Sequence, residues 1–202
     1  EEDKVLMAKY EWKLRCVGNY CTHFNLPLEK SVMADDKVVC PFHNAAFSII
    51  TGEPEQAPAL DGLPVFEVIE NSGKHFAKVP YPLPKKKTMP MAKPDGSDHR
   101  SFVIIGGGAV GLSAAETLRQ SNFKGQIHIY SKEDRIPYDR TLLSKNTSGV
   151  DTTKAVLWSA DFLNEYGITY HLNSNVVKVD AKTKQVVLED GAQVNYDKLL
   201  IA

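Results

Sequence analysis

Two short spacings constrain the first half of the chain more than anything else in it. They are Cys21-Thr22-His23 and Cys40-Pro41-Phe42-His43, a C-x-H pair and a C-x-x-H pair with sixteen residues between His23 and Cys40. Each pair follows a run of strand-forming residues, so two loops on a β-scaffold can bring all four side chains to one place. Each loop then supplies one thiolate and one imidazole. That inventory suits a [2Fe–2S] cluster in which two cysteines hold one iron and two neutral histidines hold the other. A structural zinc ion accepts the same four donors, although such sites favour C-x-x-C and H-x-x-x-H spacings. The remaining reading is four buried residues with no ligand role. The cysteine count of three is odd and does not make a disulfide framework. Cys16, the thiol left over, reads as a small buried hydrophobe in a strand.

Composition changes sharply in the middle of the chain. Residues 79–100 hold Pro80, Pro82, Pro84, Pro90 and Pro94 together with Lys85-Lys86-Lys87 and Asp95-Gly96-Ser97, which reads as a linker with a solvated lysine run. We therefore divide the chain into a first domain at 1–79, a linker at 80–100 and a second domain at 101–202. Before the linker, residues 4–7, 13–17, 37–39 and 46–50 are rich in β-formers and separated by turn residues, which predicts a small all-β unit. After it, 101–105 reads as a buried strand, 109–120 as a helix and 126–130 as a second strand, a βαβ unit. A helix is expected at 160–166, and strands at 168–172, 176–179, 185–188 and 196–202.

The turn of this βαβ unit is Gly106-Gly107-Gly108-Ala109-Val110-Gly111, a G-x-G-x-x-G between a strand and an amphipathic helix. Gly106 permits a tight turn, Gly108 lets the backbone approach a pyrophosphate, and Gly111 allows helix and strand to pack closely, while the helix N-terminus at Ala109 offers free N–H groups to an anion. An acidic residue about 20 positions later is expected to hold ribose hydroxyls. Glu133 is the candidate and Asp134 the alternate.

Both halves resemble known families. Beyond the four ligand candidates, Gly18-Asn19, Leu26-Pro27-Leu28, Phe47 and Gly52 make residues 3–79 similar to Rieske ferredoxin-type [2Fe–2S] domains, with Asn25 and Asn44 where the family usually has glycines. High-potential Rieske proteins carry an extra cysteine in each cluster loop, matched here by Leu26 and Phe42, and hydroxyl donors matched here by Ala45 and Phe47. The resemblance therefore implies a low-potential cluster without the disulfide. Pro137-Tyr138-Asp139-Arg140-Thr141-Leu142-Leu143-Ser144-Lys145 resembles a segment of FAD-dependent ferredoxin reductases and apoptosis-inducing-factor-like proteins. That likeness implies FAD as cofactor, with Arg140 and Lys145 contacting it, Lys145 in the catalytic role beside the flavin ring, and backbone near Val176 meeting the adenine. The whole pattern is similar to apoptosis-inducing-factor-like flavoproteins with an N-terminal Rieske domain. The expected fold class is an all-β Rieske domain followed by the N-terminal part of an α/β Rossmann-like FAD-binding domain.

The implied function is electron transfer from NAD(P)H through FAD and the cluster to an acceptor, a redox partner protein or respiratory-type complex. The alternatives are a catalytically degenerate accessory or scaffold subunit of a larger redox complex and a free Rieske ferredoxin serving an oxygenase. With 24 Lys and Arg against 25 Asp and Glu, charge offers no reason to expect nucleic acid or an anionic membrane as main partner. The longest apolar stretch, near 102–115, contains four glycines and falls short of the roughly 18 to 20 apolar residues of a membrane span. The chain opens on Glu1 and closes on Leu199-Leu200-Ile201-Ala202 inside a strand-like run, so both ends read as cut edges, and no signal or transit peptide is visible in the sequence. The family resemblance implies a mitochondrial location, with the cytoplasm as the alternative. His75, His99, His128 and His171 show no ligand spacing and are expected to be ordinary surface or sheet residues.

Overall fold

The structure, a computed structural model, describes residues 4–145, 149, 151 and 155–202. It forms two compact units, 1–89 and 90–202. No helix among the described residues is long and apolar enough to cross a membrane.

The first unit is all β. Strands β1 (Val5–Tyr10) and β2 (Lys13–Gly18) form a hairpin, and β3 (Tyr20–Cys21) pairs with β4 (Leu26–Pro27) around the loop that carries Thr22 and His23. Strands β5 (Val32–Ala34), β6 (Lys37–Val39), β7 (Ala46–Ser48) and β8 (Pro54–Gln56) make an antiparallel meander, while β9 (Val65–Asn71) and β10 (Lys74–Lys78) complete the sheet β1-β2-β9-β10. The core consists of Val17, Leu28, Val38, Phe47, Ile49 and Leu63, and Cys21 and Cys40 belong to the same buried cluster. Side-chain alternation explains that placement. In β6 the middle residue Val38 is buried, and the chain leaving the strand turns Cys40 back beneath the same layer.

The segment after β10 differs from a solvated linker at its lysines. Gly62 and Lys87 exchange both backbone hydrogen bonds, at 2.7 and 2.8 Å. Lys87 Nζ donates to the Thr51 carbonyl at 2.7 Å, and Lys86 Nζ pairs with Asp61 at 2.7 Å. The self-repulsion expected of three adjacent cations is outweighed because this stretch meets unsatisfied acceptors on the β-unit.

The second unit is α/β. Strand β11 (Ser101–Ile105), helix α1 (Ala109–Gln120) and strand β12 (Gln126–Tyr130) form the βαβ turn, followed by the short helices α2 (Leu142–Lys145) and α3 (Ala160–Glu165). Strand β13 (Ile168–His171), the hairpins of β14 (Val176–Asp180), β15 (Gln185–Leu188) and β16 (Gln193–Asn195), and β17 (Lys198–Ile201) complete it. The parallel sheet runs β13-β12-β11-β17, and β14-β15-β16 is a separate antiparallel sheet. Both faces of the parallel sheet are covered. Ile104, Ile127, Ile129 and Ile168 pack with Leu112, Ala115 and Leu163 of the helices, whereas Val103 and Tyr130 pack with Val186 of the antiparallel sheet. Burial on two faces explains why 102–105 is a continuous apolar run rather than an alternating one.

His128 and His171 come together on the face that carries Tyr130. The Nδ1 atom of His128 lies 3.0 Å from Nε2 of His171, and Tyr130 stacks on His171 with centroids 4.3 Å apart and planes 8° from parallel. Burial lowers the pKa of both histidines below the ordinary 6.5, and for His171 the charge of His128 adds to the effect. The unfolded chain therefore binds protons that the folded one resists. Stability from this pair is complete above pH 6.5 and is lost as the pH falls through the window between 6.5 and the lowered values. We expect the thermal midpoint of the second unit to fall from pH 7.5 to 5.5, and to fall less in His171→Phe, which keeps the stacking but not the titration. Equal pH slopes in the two proteins would show that the pair does not govern the loss.

Candidate functional site

In the first unit, the two ligand loops are built the same way. The Asn25 N–H donates to the Cys21 carbonyl at 2.8 Å, and the Asn44 N–H donates to the Cys40 carbonyl at 3.1 Å, so each loop is one closed turn beginning at its cysteine. The closing residues have φ of 54° and 63°, in the left-handed region. Asparagine is the residue other than glycine that enters this region most readily, which is why it can stand where the related domains have glycine. The Cys40 N–H also donates to the Ala45 carbonyl at 2.8 Å, which anchors the second loop to β7.

These turns bring the four side chains together in two pairs. Cys21 and Cys40 are 2% and 1% exposed, and the Cys40 thiol is near enough to Cys21 to help raise its pKa. The His23 and His43 rings lie edge to face at 5.0 Å, with Phe24 against both of them. His23 is half-buried, and His43 and Phe42 are exposed. Burial pushes the Cys21 thiol up to about 11, opposed by backbone N–H groups of His23 and Phe24 that favour the thiolate. Metal binding displaces such a proton, so the two N–H groups are placed for a metal-bound sulfur. Among the described residues, no three His, Cys, Asp or Glu side chains gather as a group for one metal ion. A thiol pair beside an imidazole pair is the donor set of a two-iron cluster with mixed ligation, and the residues present fit that group. Ala45 and Phe47, each 0% exposed, bring no hydroxyl to the loops, and the three cysteines are free of disulfides.

In the second unit, the turn after β11 lies where the strand order changes direction, with β12 on one side and β17 on the other. Ligands of open parallel sheets bind in that crevice. Gly106 has φ +120°, and a Cβ on Gly111 would stand 2.0 Å from the Gly106 carbonyl oxygen, so neither position takes a side chain without moving the turn. Gly108, the N-cap of α1, makes no side-chain cap, and a Cβ built there meets nothing within 4 Å. The first N–H groups of the helix thus face open space, a cradle for a diphosphate.

A cleft of about 370 Å³ opens at this turn, lined by Gly106, Gly108, Ala109 and Gly111, by Glu133 and Arg140, and by Val176. Glu133 and Arg140 are ion-paired across its rim, and Arg140 lies over the Tyr138 ring at 5.5 Å. The Asn173 N–H donates to the Glu133 carbonyl at 2.9 Å, which holds this acidic residue against the loop before β14. Asp134 pairs instead with the adjacent Arg135 at 2.7 Å. Lys145 stands at the end of the exposed helix α2 and is not among the residues that line the cleft. Tyr130, Ser131, Ser174 and Asn175 line it as well and were not singled out from the sequence. Ser174 and Asn175 adjoin Val176, so their position beside it was the available signal. Tyr130 and Ser131 gave only the end of a strand.

Residues 1–67 match the Rieske [2Fe-2S] domain family and residues 100–202 match the pyridine nucleotide-disulphide oxidoreductase family. Apoptosis-inducing factor 3 of Homo sapiens is 36% identical over 206 residues, covering 98% of this chain and 34% of the relative. The ferredoxin–NAD(+) reductase component of the p-cumate 2,3-dioxygenase system of Pseudomonas putida is 37% identical over 109 residues, 53% of this chain and 27% of its own. Among solved structures, NADH:rubredoxin oxidoreductase from Clostridium acetobutylicum aligns over 52% of this chain and 27% of that one, with 23% identity and a TM-score of 0.48. The chain spans about a third of the length of the apoptosis-inducing factor 3 proteins it matches. With cluster-type loops in one unit and a glycine cradle at the sheet crevice of the other, it belongs to the pyridine nucleotide-disulphide oxidoreductase family and carries a Rieske [2Fe–2S] domain ahead of that fold.

Proposed function

We propose that the protein to which this chain belongs is an NAD(P)H-dependent flavoprotein oxidoreductase, passing electrons through FAD and a low-potential [2Fe–2S] cluster to an acceptor protein. The observation that carries this reading is the pairing of Cys21 with Cys40 and of His23 with His43 ahead of the Gly106–Gly111 cradle. FAD supplies two-electron hydride chemistry and a [2Fe–2S] cluster supplies one-electron transfer, so together they split a hydride into single electrons.

The chain's own residues divide that work. Cys21 and Cys40 would hold one iron and His23 and His43 the other, and the exposed His43 and Phe42 would meet the acceptor. The N–H groups of His23 and Phe24 favour the Cys21 thiolate, whereas the side chains of Ala45 and Phe47 carry no donor. With few donors to stabilise added negative charge, the midpoint belongs at the low end of the span of about −150 to +300 mV found for such centres. In the second unit the N–H groups at the start of α1 receive the diphosphate, Glu133 accepts from ribose hydroxyls, and Arg140 and Lys145 supply cations toward the cofactor. A mitochondrial setting is part of this reading and follows from the family resemblance.

The test is anaerobic reduction of the intact protein by NADH or NADPH. Flavin bleaching, then the EPR signal of a His-ligated cluster, then reduction of a cytochrome or dye acceptor are expected in that order. Bound flavin without turnover defeats the reading and favours a scaffold role, and a midpoint well above zero defeats the low-potential assignment.

A further inference from the structure

Thr22 lies between Cys21 and His23 and is tied to a residue far along the chain. Its hydroxyl donates to the Asp61 carbonyl oxygen at 2.6 Å. Asp61 is 6% exposed, and its Oδ2 receives Lys86 Nζ at 2.7 Å. Its other oxygen, Oδ1, is buried without a hydrogen-bond partner among the described residues. The carboxylate is therefore shielded from water and neutralised from one side. Lys86 is held at this place by its neighbour, because Lys87 and Gly62 exchange two backbone hydrogen bonds and Lys87 Nζ is bound to the Thr51 carbonyl.

We propose that Lys86, in the segment that follows the β-unit's last strand, is a positioning residue for the cluster, acting through buried Asp61 on the loop that carries Cys21 and His23. The inference rests on the reading of those loops as cluster ligands. A carboxylate out of water interacts strongly with nearby charge, and a reduced cluster carries one more negative charge than an oxidised one. Paired with Lys86, Asp61 is close to neutral toward the cluster. Without Lys86 it opposes reduction. Without the carboxylate, the lysine, whose side chain is 51% exposed, favours reduction. The stretch that follows β10 thereby takes part in setting how readily the cluster accepts an electron.

Opposite signs separate this role from a structural one. Midpoints would be measured on the intact protein by dye-mediated titration, with EPR reporting the reduced cluster. Lys86→Met is expected to lower the reduced-to-oxidised ratio about tenfold at fixed ambient potential, which is 59 mV for a one-electron couple. Asp61→Asn is expected to raise it, and Lys86→Arg to leave it within twofold of the parent. Where Lys86→Met loses its cluster, Asp61→Asn decides. An unchanged midpoint in Asp61→Asn, or shifts of the same sign in both variants, overturns the proposal. Absence of a His-ligated cluster signal in the parent protein overturns the reading of the loops themselves, so the two failures are told apart.

Discussion

Cys40→Ala is expected to contain no iron–sulfur cluster and to keep its flavin. Cys40 is 1% exposed, and its thiol is one half of the only close cysteine pair described in the chain, so alanine leaves one iron with a single protein thiolate. Loss of a partner outside the immediate ligands typically costs 10- to 100-fold in metal affinity, and removal of a ligand itself is expected to cost more than about 100-fold. The packing cost is small by comparison, about 1 kcal/mol for one sulfur-sized gap in the core. The first unit should therefore still fold. Three measurements follow on the same sample: iron and acid-labile sulfide fall to background, the cluster EPR signal disappears, and flavin reduction by NAD(P)H proceeds while acceptor reduction falls more than about 100-fold. Retention of stoichiometric iron with an unchanged signal would falsify the assignment of Cys40, and loss of flavin along with the cluster would contradict the independence of the two sites.

The largest stability effect is expected at Arg119, which has 0% exposure despite its charge. Its guanidinium donates to four carbonyl oxygens: Tyr166 at 2.7 Å from Nε, Phe123 and Gly125 at 2.7 and 2.9 Å, and Gly167 at 2.9 Å. Phe123 and Gly125 lie in the loop from α1 into β12, and Tyr166 and Gly167 in the loop from α3 into β13, so one side chain closes the entry to two adjacent strands. Burial lowers its pKa from the ordinary value, as desolvation of a cation must. Arg119→Leu fills the space but leaves four carbonyls without donors, each costing about 1 to 3 kcal/mol. The sum exceeds about 4 kcal/mol, the exceptional class for a single substitution, and approaches the about 5 to 15 kcal/mol that holds a whole domain. Arg119→Lys should lose roughly half as much, because an ammonium has three donors and no planar fork. Urea unfolding followed by Trp158 fluorescence measures both, and a Leu variant within about 1 kcal/mol of the parent would exclude the role.

These two sites differ in how visible they were beforehand. Cys21, His23, Cys40 and His43 stand out as ligand candidates because metal ligation restricts residue type and because each pair occupies one local turn. The G-x-G-x-x-G turn is equally local, and its chemistry depends on backbone and on the lack of side chains. Counting from that turn to the end of the next strand leads to Glu133, which lines the cleft. Arg119 carried no such mark, since a lone arginine near the end of an amphipathic helix ordinarily faces solvent. His128 and His171 were set aside for want of ligand spacing, and they meet because β12 and β13 are adjacent in the parallel sheet.

What the sequence determined by itself was the chemistry of each short segment: β-unit, glycine turn, ligand loops, and asparagines able to close those loops with left-handed backbone. What only the tertiary structure decided was the set of pairs between distant segments. The His128–His171, Arg119–Tyr166 and Lys86–Asp61 contacts join residues 43, 47 and 25 positions apart. Local motifs are written in dihedral preferences and donor types within a few residues. Long-range pairs depend on strand register and on which buried acceptors lack a partner, and those quantities do not exist until the sheets have closed.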